Sequence, residues 1–253
     1  MTTGLSYDGT VAGTNSYVAQ IANMAVVSPT DPNFLIALPQ IISYSENRMC
    51  RDIDFLSTKT SATFLMTAGQ RSLSLAGATP YPFVVTEQFN IITPSTSTNP
   101  NDVAATRNPC LPTTKEFLDQ VYGSAAVANQ GLPIYIAPFT DNTFYFGPPP
   151  DAAYTVEVVG TARPESLSAS NLTTFISLFL PDLMIQCSLI YLAEYQRNFS
   201  GASSNDPQMG TNYESQYISL MKSAQMEEAR KKFQSTGWAS LSPAAAATPT
   251  RGA

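Results

Sequence analysis

The sequence predicts an α+β fold. It is a helical bundle formed by the N- and C-terminal segments, with an inserted small β-rich module and an extended C-terminal tail. Three observations carry this reading. Apolar residues recur at helical spacing near both ends, short β-branched and aromatic runs fill the middle, and the last stretch has no periodicity. The expected boundaries are residues 1–60 and 166–234 for the bundle, 61–165 for the module and 235–253 for the tail.

Ser16 to Val27 (SYVAQIANMAVV) reads as a short amphipathic helix ended by Pro29 and Pro32. A longer helix is expected from about Pro39, whose ring suits a first helical position. Ile42, Met49, Ile53 and Leu56 fall on one face of it, and Glu46 lands on the same stripe, whereas Arg48, Arg51 and Asp52 lie off it. A carboxylate on a core-facing stripe is costly unless paired. Glu46 is therefore a candidate for a buried ion pair with an arginine of the same or a neighbouring chain. As a general acid or base it lacks a second carboxylate at useful spacing.

The period changes from Ser61 to Arg163. SATFLMTAG, RSLSLAG, FVVTEQFNII, PIYIAP, NTFYFG and AYTVEVVGTA read as strands. Tyr154, Val156 and Val158 alternate with Thr155 and Glu157, as in a strand with one buried face. Phe139 to Phe144 forms a hairpin turn around Asp141 and Asn142. Thr93 to Pro112 is a polar, proline-punctuated loop, and Thr113-Thr-Lys-Glu116 is a capping box opening a helix from Lys115 to Tyr122.

Helix returns at Asn171. Leu183 to Tyr195 is apolar around its whole circumference, so it must be enclosed on all sides. In a chain this size, other subunits are expected to help enclose it, with Leu183, Ile185, Leu189 and Leu192 as ring-packing residues. The final helix, about Asp206 to Phe233, carries Tyr213, Tyr217, Leu220 and Ala224 on a stripe that continues into Glu227, Glu228 and Lys231, so its last two turns leave the apolar core for water or for a polar partner. Arg230, Lys231 and Lys232 complement its dipole. In the tail, Trp238 and Leu241 are the sizeable apolar groups, suited to anchor a peptide on a partner or to pack back on the preceding helix.

Composition removes several function classes. A chain without histidine has no Ser-His-Asp or HExxH chemistry and lacks the commonest nitrogen ligand for metals. A net charge of −6 does not suit a protein that wraps nucleic acid. Charged residues are only 13%, about half the usual share, so this surface solvates weakly and suits a subunit covered by neighbours. Cys50, Cys110 and Cys187 are far apart, which predicts reduced thiols and no metal site. The start, MTTGLSYDGT, has neither the basic nor the apolar region of a secretory signal. Thr174 to Ala193 is long enough to span a bilayer, but Asp182 near its middle costs on the order of 3 kcal/mol there. Two buried helices meeting at Pro181 are expected instead, with no membrane role. No phosphate-binding, dinucleotide-binding or nucleophile-elbow motif is present, and neither cofactor nor catalytic residue is expected.

The pieces LPQIISYSENRMCRDIDF (Leu38 to Phe55), TKEFLDQVYG (Thr114 to Gly123), GLPIYIAP (Gly131 to Pro138), TFYFGPPPDAAYTVEVVGTARPESLS (Thr143 to Ser168) and LPDLMIQCSLIYLAEYQRN (Leu180 to Asn198) follow in a telling order. In that order and spacing, over roughly residues 32 to 234, the chain resembles the head-to-tail adaptor proteins of tailed bacteriophages, the group called tail tubular protein A or gatekeeper. The resemblance implies a non-enzymatic connector, a ring usually of twelve copies between the portal protein and the tail tube or nozzle protein. Genomic DNA passes through it without sequence-specific binding. It implies a place at the head-tail junction of the virion, reached from the host cytoplasm during assembly, with Trp238 and Leu241 docking on the portal. Other roles weighed are a tail terminator, a minor tail or capsid-decorating protein, or a cell-wall hydrolase using Asp141, Asp151 or Glu157. The last requires two carboxylates about 5 to 9.5 Å apart in a cleft.

Overall fold

The computed structural model of the chain describes residues 4–8, 15–78, 82–199 and 209–232. In chain order its elements are α1 (Tyr17–Met24), α2 (Pro32–Asp52), β1 (Lys59–Leu65), β2 (Ser72–Ser74), β3 (Phe83–Thr93), β4 (Thr106–Pro109), β5 (Leu111–Pro112) and α3 (Lys115–Val121). Then follow β6 (Tyr135–Thr140), β7 (Thr143–Gly147), β8 (Thr155–Ala162), α4 (Phe175–Phe179), α5 (Pro181–Phe199) and α6 (Met209–Lys232). The fold class is α+β, and the elements fall into two units, Met1–Ser57 with Glu165–Ala253, and Thr58–Pro164. The expected tail, 235–253, lies outside the described residues.

In the helical unit, Ser16 caps α1 by accepting a hydrogen bond from the Ala19 N–H at 3.2 Å. The helix closes with Val26 N–H donating to the Asn23 carbonyl and Val27 N–H to that of Ala22, the paired bonds of a Schellman stop. The second helix starts earlier than the sequence reading placed it. Asp31 caps it, accepting from Asn33 N–H at 2.8 Å, and Pro32 takes the first helical position. Pro39 sits inside the helix, where it removes one internal donor and sets its ring against the carbonyl of Leu35. The core joins Tyr17 and Ile21 of α1 and Phe34, Leu38, Ile42 and Met49 of α2 to the inward residues of α5 and α6. Pro181 separates α4 from α5, as expected, and among the described residues no helix is long and apolar enough to cross a membrane.

The end of α6 leaves the apolar core for a polar partner and not for water. Glu228 is buried and accepts from Leu56 N–H at 3.0 Å and from Lys231 at 2.7 Å, while Gln225 donates to the Asp52 carbonyl at 2.8 Å. Tyr217 donates to Asp52 at 2.7 Å under the Arg48 guanidinium, which lies 4.5 Å from its ring centre. The polar continuation of the stripe thus fastens α6 to the C-terminal end of α2.

The β unit holds two four-stranded sheets, ordered β1-β8-β3-β4 and β2-β7-β6-β5, around one core. Phe89 of β3 packs 4.7 Å from Phe144 and 6.1 Å from Phe146 of β7, ring centre to ring centre, which joins the sheets. The hairpin turn lies at Asp141 and Asn142, between the paired Thr140 and Thr143. Two strands arise inside the expected loop. Both β4 and β5 are edge strands, where the prolines of TRNPCLP forfeit no inner ladder bond. The expected half-exposed face of β8 is also buried, because Thr155 donates to the Ser97 carbonyl at 3.0 Å and Glu157 is covered by Arg107 and Asn90. The cap of α3 is Thr114, which accepts from Phe117 N–H at 3.3 Å; the box expected of Thr113 and Glu116 does not form, because the third helical residue is then Phe117, which has no side-chain acceptor.

Candidate assembly surfaces

The four residues expected to pack a ring do not face outward. Leu183, Ile185, Leu189 and Leu192 are all buried within the single chain, where α1, α2, α4 and α6 contact α5. Where its side chains are described, the apolar helix is covered by other helices of the same chain. Trp238 and Leu241, the expected portal anchors, lie outside the described residues.

Apolar surface that does face solvent gathers elsewhere on the helical unit. Val26 is 92% exposed and Ile36 78%, with Met24 and Leu35 exposed as well, all near the corner between α1 and α2. Val26 adopts φ 55°, the left-handed region that a β-branched residue avoids. It occupies the position after the helix stop where glycine is usual. Beside this corner runs an open apolar groove of about 360 Å³ lined by Leu5, Gln20, Met24, Pro181, Asp182, Ile185, Gln186 and Leu220. The side-chain oxygen of Gln186 is buried without a hydrogen-bond partner among the described residues.

The β unit has its own exposed set. The outer face of β6 and β7 carries Tyr135 and Tyr145, and α3 lies over it because Gly147 leaves no Cβ to meet Leu118 and Tyr122. Phe117 stacks edge-on to Tyr135 at 5.5 Å and Phe139 to Tyr145 at 5.1 Å, and both phenylalanines are exposed. Lys115 stands 5.8 Å from the Tyr145 ring centre and shares Asp119 with Arg71 at 2.6 and 2.9 Å. These two salt bridges hold the Asp119 carboxyl below the usual carboxylate range. Aromatic rings interleaved with cations are common at the centres of protein interfaces.

The buried carboxylates are held by hydrogen bonds to their own unit. Glu46 is only 7% exposed, yet among the described residues of the chain no arginine pairs with it. Its described partners are neutral: Leu167 N–H reaches both oxygens at 3.3 Å, Thr174 Oγ1 donates at 3.3 Å, and Ser166 adds a side-chain hydrogen bond. Arg48, lying off the stripe, pairs instead with Glu214 and Asp52. Glu157 is held below its ordinary pKa by the Arg107 guanidinium, against the opposing effect of burial. An ionised, paired carboxylate of this kind is unsuited to act as a proton donor. Asp151 accepts from Tyr154 at 2.8 Å, and Asp141 is exposed on the hairpin turn. Burial pushes the thiols of Cys110 and Cys187 up to about 12, so neither is a ready nucleophile. Among the described residues no cluster of ligating side chains could hold a metal ion.

Sequence reasoning missed the α1–α2 corner. Its signal was a helix stop ahead of Pro29 with no glycine to supply the left-handed residue. No curated protein matches the chain. The family model described as SU10 adaptor protein matches residues 16–244, which takes in both units. A match over that length, in a chain whose helical parts flank a β insert, is decisive: the chain belongs to the SU10 adaptor protein family.

Proposed function

We propose that this structural phage protein is the connector of the head-tail junction, assembling as a ring of twelve copies that joins the portal to the tail tube or nozzle around the DNA exit channel. The carrying observation is the family match across residues 16–244. Two physical features support it. The chain buries Leu183, Ile185, Leu189 and Leu192 of α5 by itself yet leaves Val26 and Ile36 in water, which leaves apolar surface for a neighbour. A net charge of −6 favours a channel wall along which a polyanion slides without adhering.

In this reading the protein has no catalytic role, and its work is geometric. Head-to-tail contacts between identical flanks close a circle when their rotation sums to a full turn. Trp238 and Leu241 dock on the portal. The assembly is formed in the host cytoplasm and carried in the virion. Electron microscopy of the assembled particle tests the proposal directly: density for twelve copies between portal and tail supports it, and a monomer or trimer elsewhere in the virion overturns it. Deleting residues 236–253 tests the portal contact separately, since unchanged portal binding removes that part.

A further inference from the structure

The helical unit contains one charged group whose surroundings do not match its charge. The chain re-enters this unit at Glu165, and two residues later Leu167 N–H meets the carboxylate of Glu46. Thr174, the N-cap of α4, donates to the same carboxylate while its side chain also accepts from Ser177 N–H at 3.1 Å. One carboxyl group therefore fastens α2, the returning segment and the start of α4 together. We propose that Glu46 is a proton-operated latch: neutral, it holds the returning segment 165–174 and α4 against α2, and ionised, it lets them open.

The groups facing Glu46 from each packed element are neutral. From α1 comes Tyr17, whose hydroxyl donates to Ser188 at 2.6 Å and is pushed upward chiefly by burial, with the Glu46 charge adding to the effect. On α5, the Cys187 thiol turns to the backbone carbonyl of Ser45, next to Glu46 in sequence, at 3.6 Å. The returning segment offers Ser166 and Leu167, and α4 offers Thr174. On α2 itself, Arg48 is engaged by Glu214 and Asp52. Among the described residues, a carboxylate so enclosed is held by three donors, Leu167 and Thr174 at 3.3 Å and Ser166, and is paired with no cation. A carboxylic acid fits the same place, because the Thr174 hydroxyl can accept where it otherwise donates.

Burial accordingly raises the Glu46 pKa above its ordinary 4.5, with the hydrogen bonds opposing this. The folded state then binds a proton that the unfolded or opened state releases. The stabilisation is complete below the ordinary carboxylate pKa and is lost as pH rises through the higher folded value. Leu167 is itself a core residue, whereas Thr174 is half-buried beside the exposed Leu172 and Thr173, so opening begins on the Thr174 side of the contact.

Hydrogen–deuterium exchange of the full chain between pH 5 and pH 8, corrected for intrinsic rates, tests the latch. Amides of segment 165–179 should exchange faster as pH rises, by at most about tenfold per pH unit, the limit for one proton, while those around Ser45 should not. Glu46→Gln should flatten the dependence. A flat wild-type profile, or a slope that survives Glu46→Gln, overturns the proposal. Should that variant not fold, the carboxyl carbon of Glu46 can be titrated by NMR in the wild type. A midpoint above 4.5 then supports the latch and one at or below it overturns it.

Discussion

Val26 carries a cost that nothing inside the chain repays. A β-branched side chain at φ 55° is strained by about 1–2 kcal/mol, and at 92% exposure it recovers almost no burial. Glycine would relieve the strain but would lose some of that gain to the flexibility of the unfolded chain. Val26→Gly should therefore raise stability by about 0.5–1 kcal/mol, read as a higher Tm, while weakening self-association if the corner is an interface. Glu157 shows the opposite electrostatics to Glu46. Its pKa is lowered by Arg107, so the stability it contributes is present above the ordinary carboxylate pKa and is lost as pH falls through the lowered value. Arg107→Ala should make acid unfolding, followed by circular dichroism, begin at higher pH. Only half of this was legible in the sequence. The helical stripe located Glu46 in the core, but partner identity depends on residues more than a hundred positions away, Leu167 and Thr174, which periodicity does not register.

At the scale of elements, strands that alternate apolar and polar residues could be read, and prolines that act as edges or caps could not. FVVTEQFNII and AYTVEVVGTA became β3 and β8, whereas TRNPCLP hid β4 and β5 because proline argues against a strand unless the strand is known to be an edge. The start of α2 was missed for a similar reason, since Asp31-Pro32 and Pro39 are both plausible starts until the cap geometry is seen. Asp31→Ala should lower stability by about 1 kcal/mol, measured by denaturant unfolding. In β8, a Cβ on Gly160 would lie 2.2 Å from the Val85 carbonyl oxygen, at the irregular stretch of β3. Gly160→Ala should cost on the order of 2–3 kcal/mol, because the ladder itself must move.

For the whole molecule, the apolar girth of α5 was read correctly as something to be enclosed and incorrectly as something neighbours must enclose. Helices distant in sequence, α1, α2 and α6, do it within one chain, and a count of apolar residues on one helix does not reveal how many others will cover it. The two kinds of surface separate experimentally. Leu189→Ala should destabilise the single chain by about 2–5 kcal/mol, whereas Ile36→Glu should leave its Tm nearly unchanged and impair assembly, as followed by native mass spectrometry. The ends of the β unit add a last consequence. Lys59, its first strand residue, pairs directly with Thr161 near the end of its last strand. Entry and exit are thus adjacent rungs of a single ladder, and residues 58–164 form a cassette closed at its own doorway. To exchange such a cassette, only one pair of neighbouring chain ends has to be rejoined.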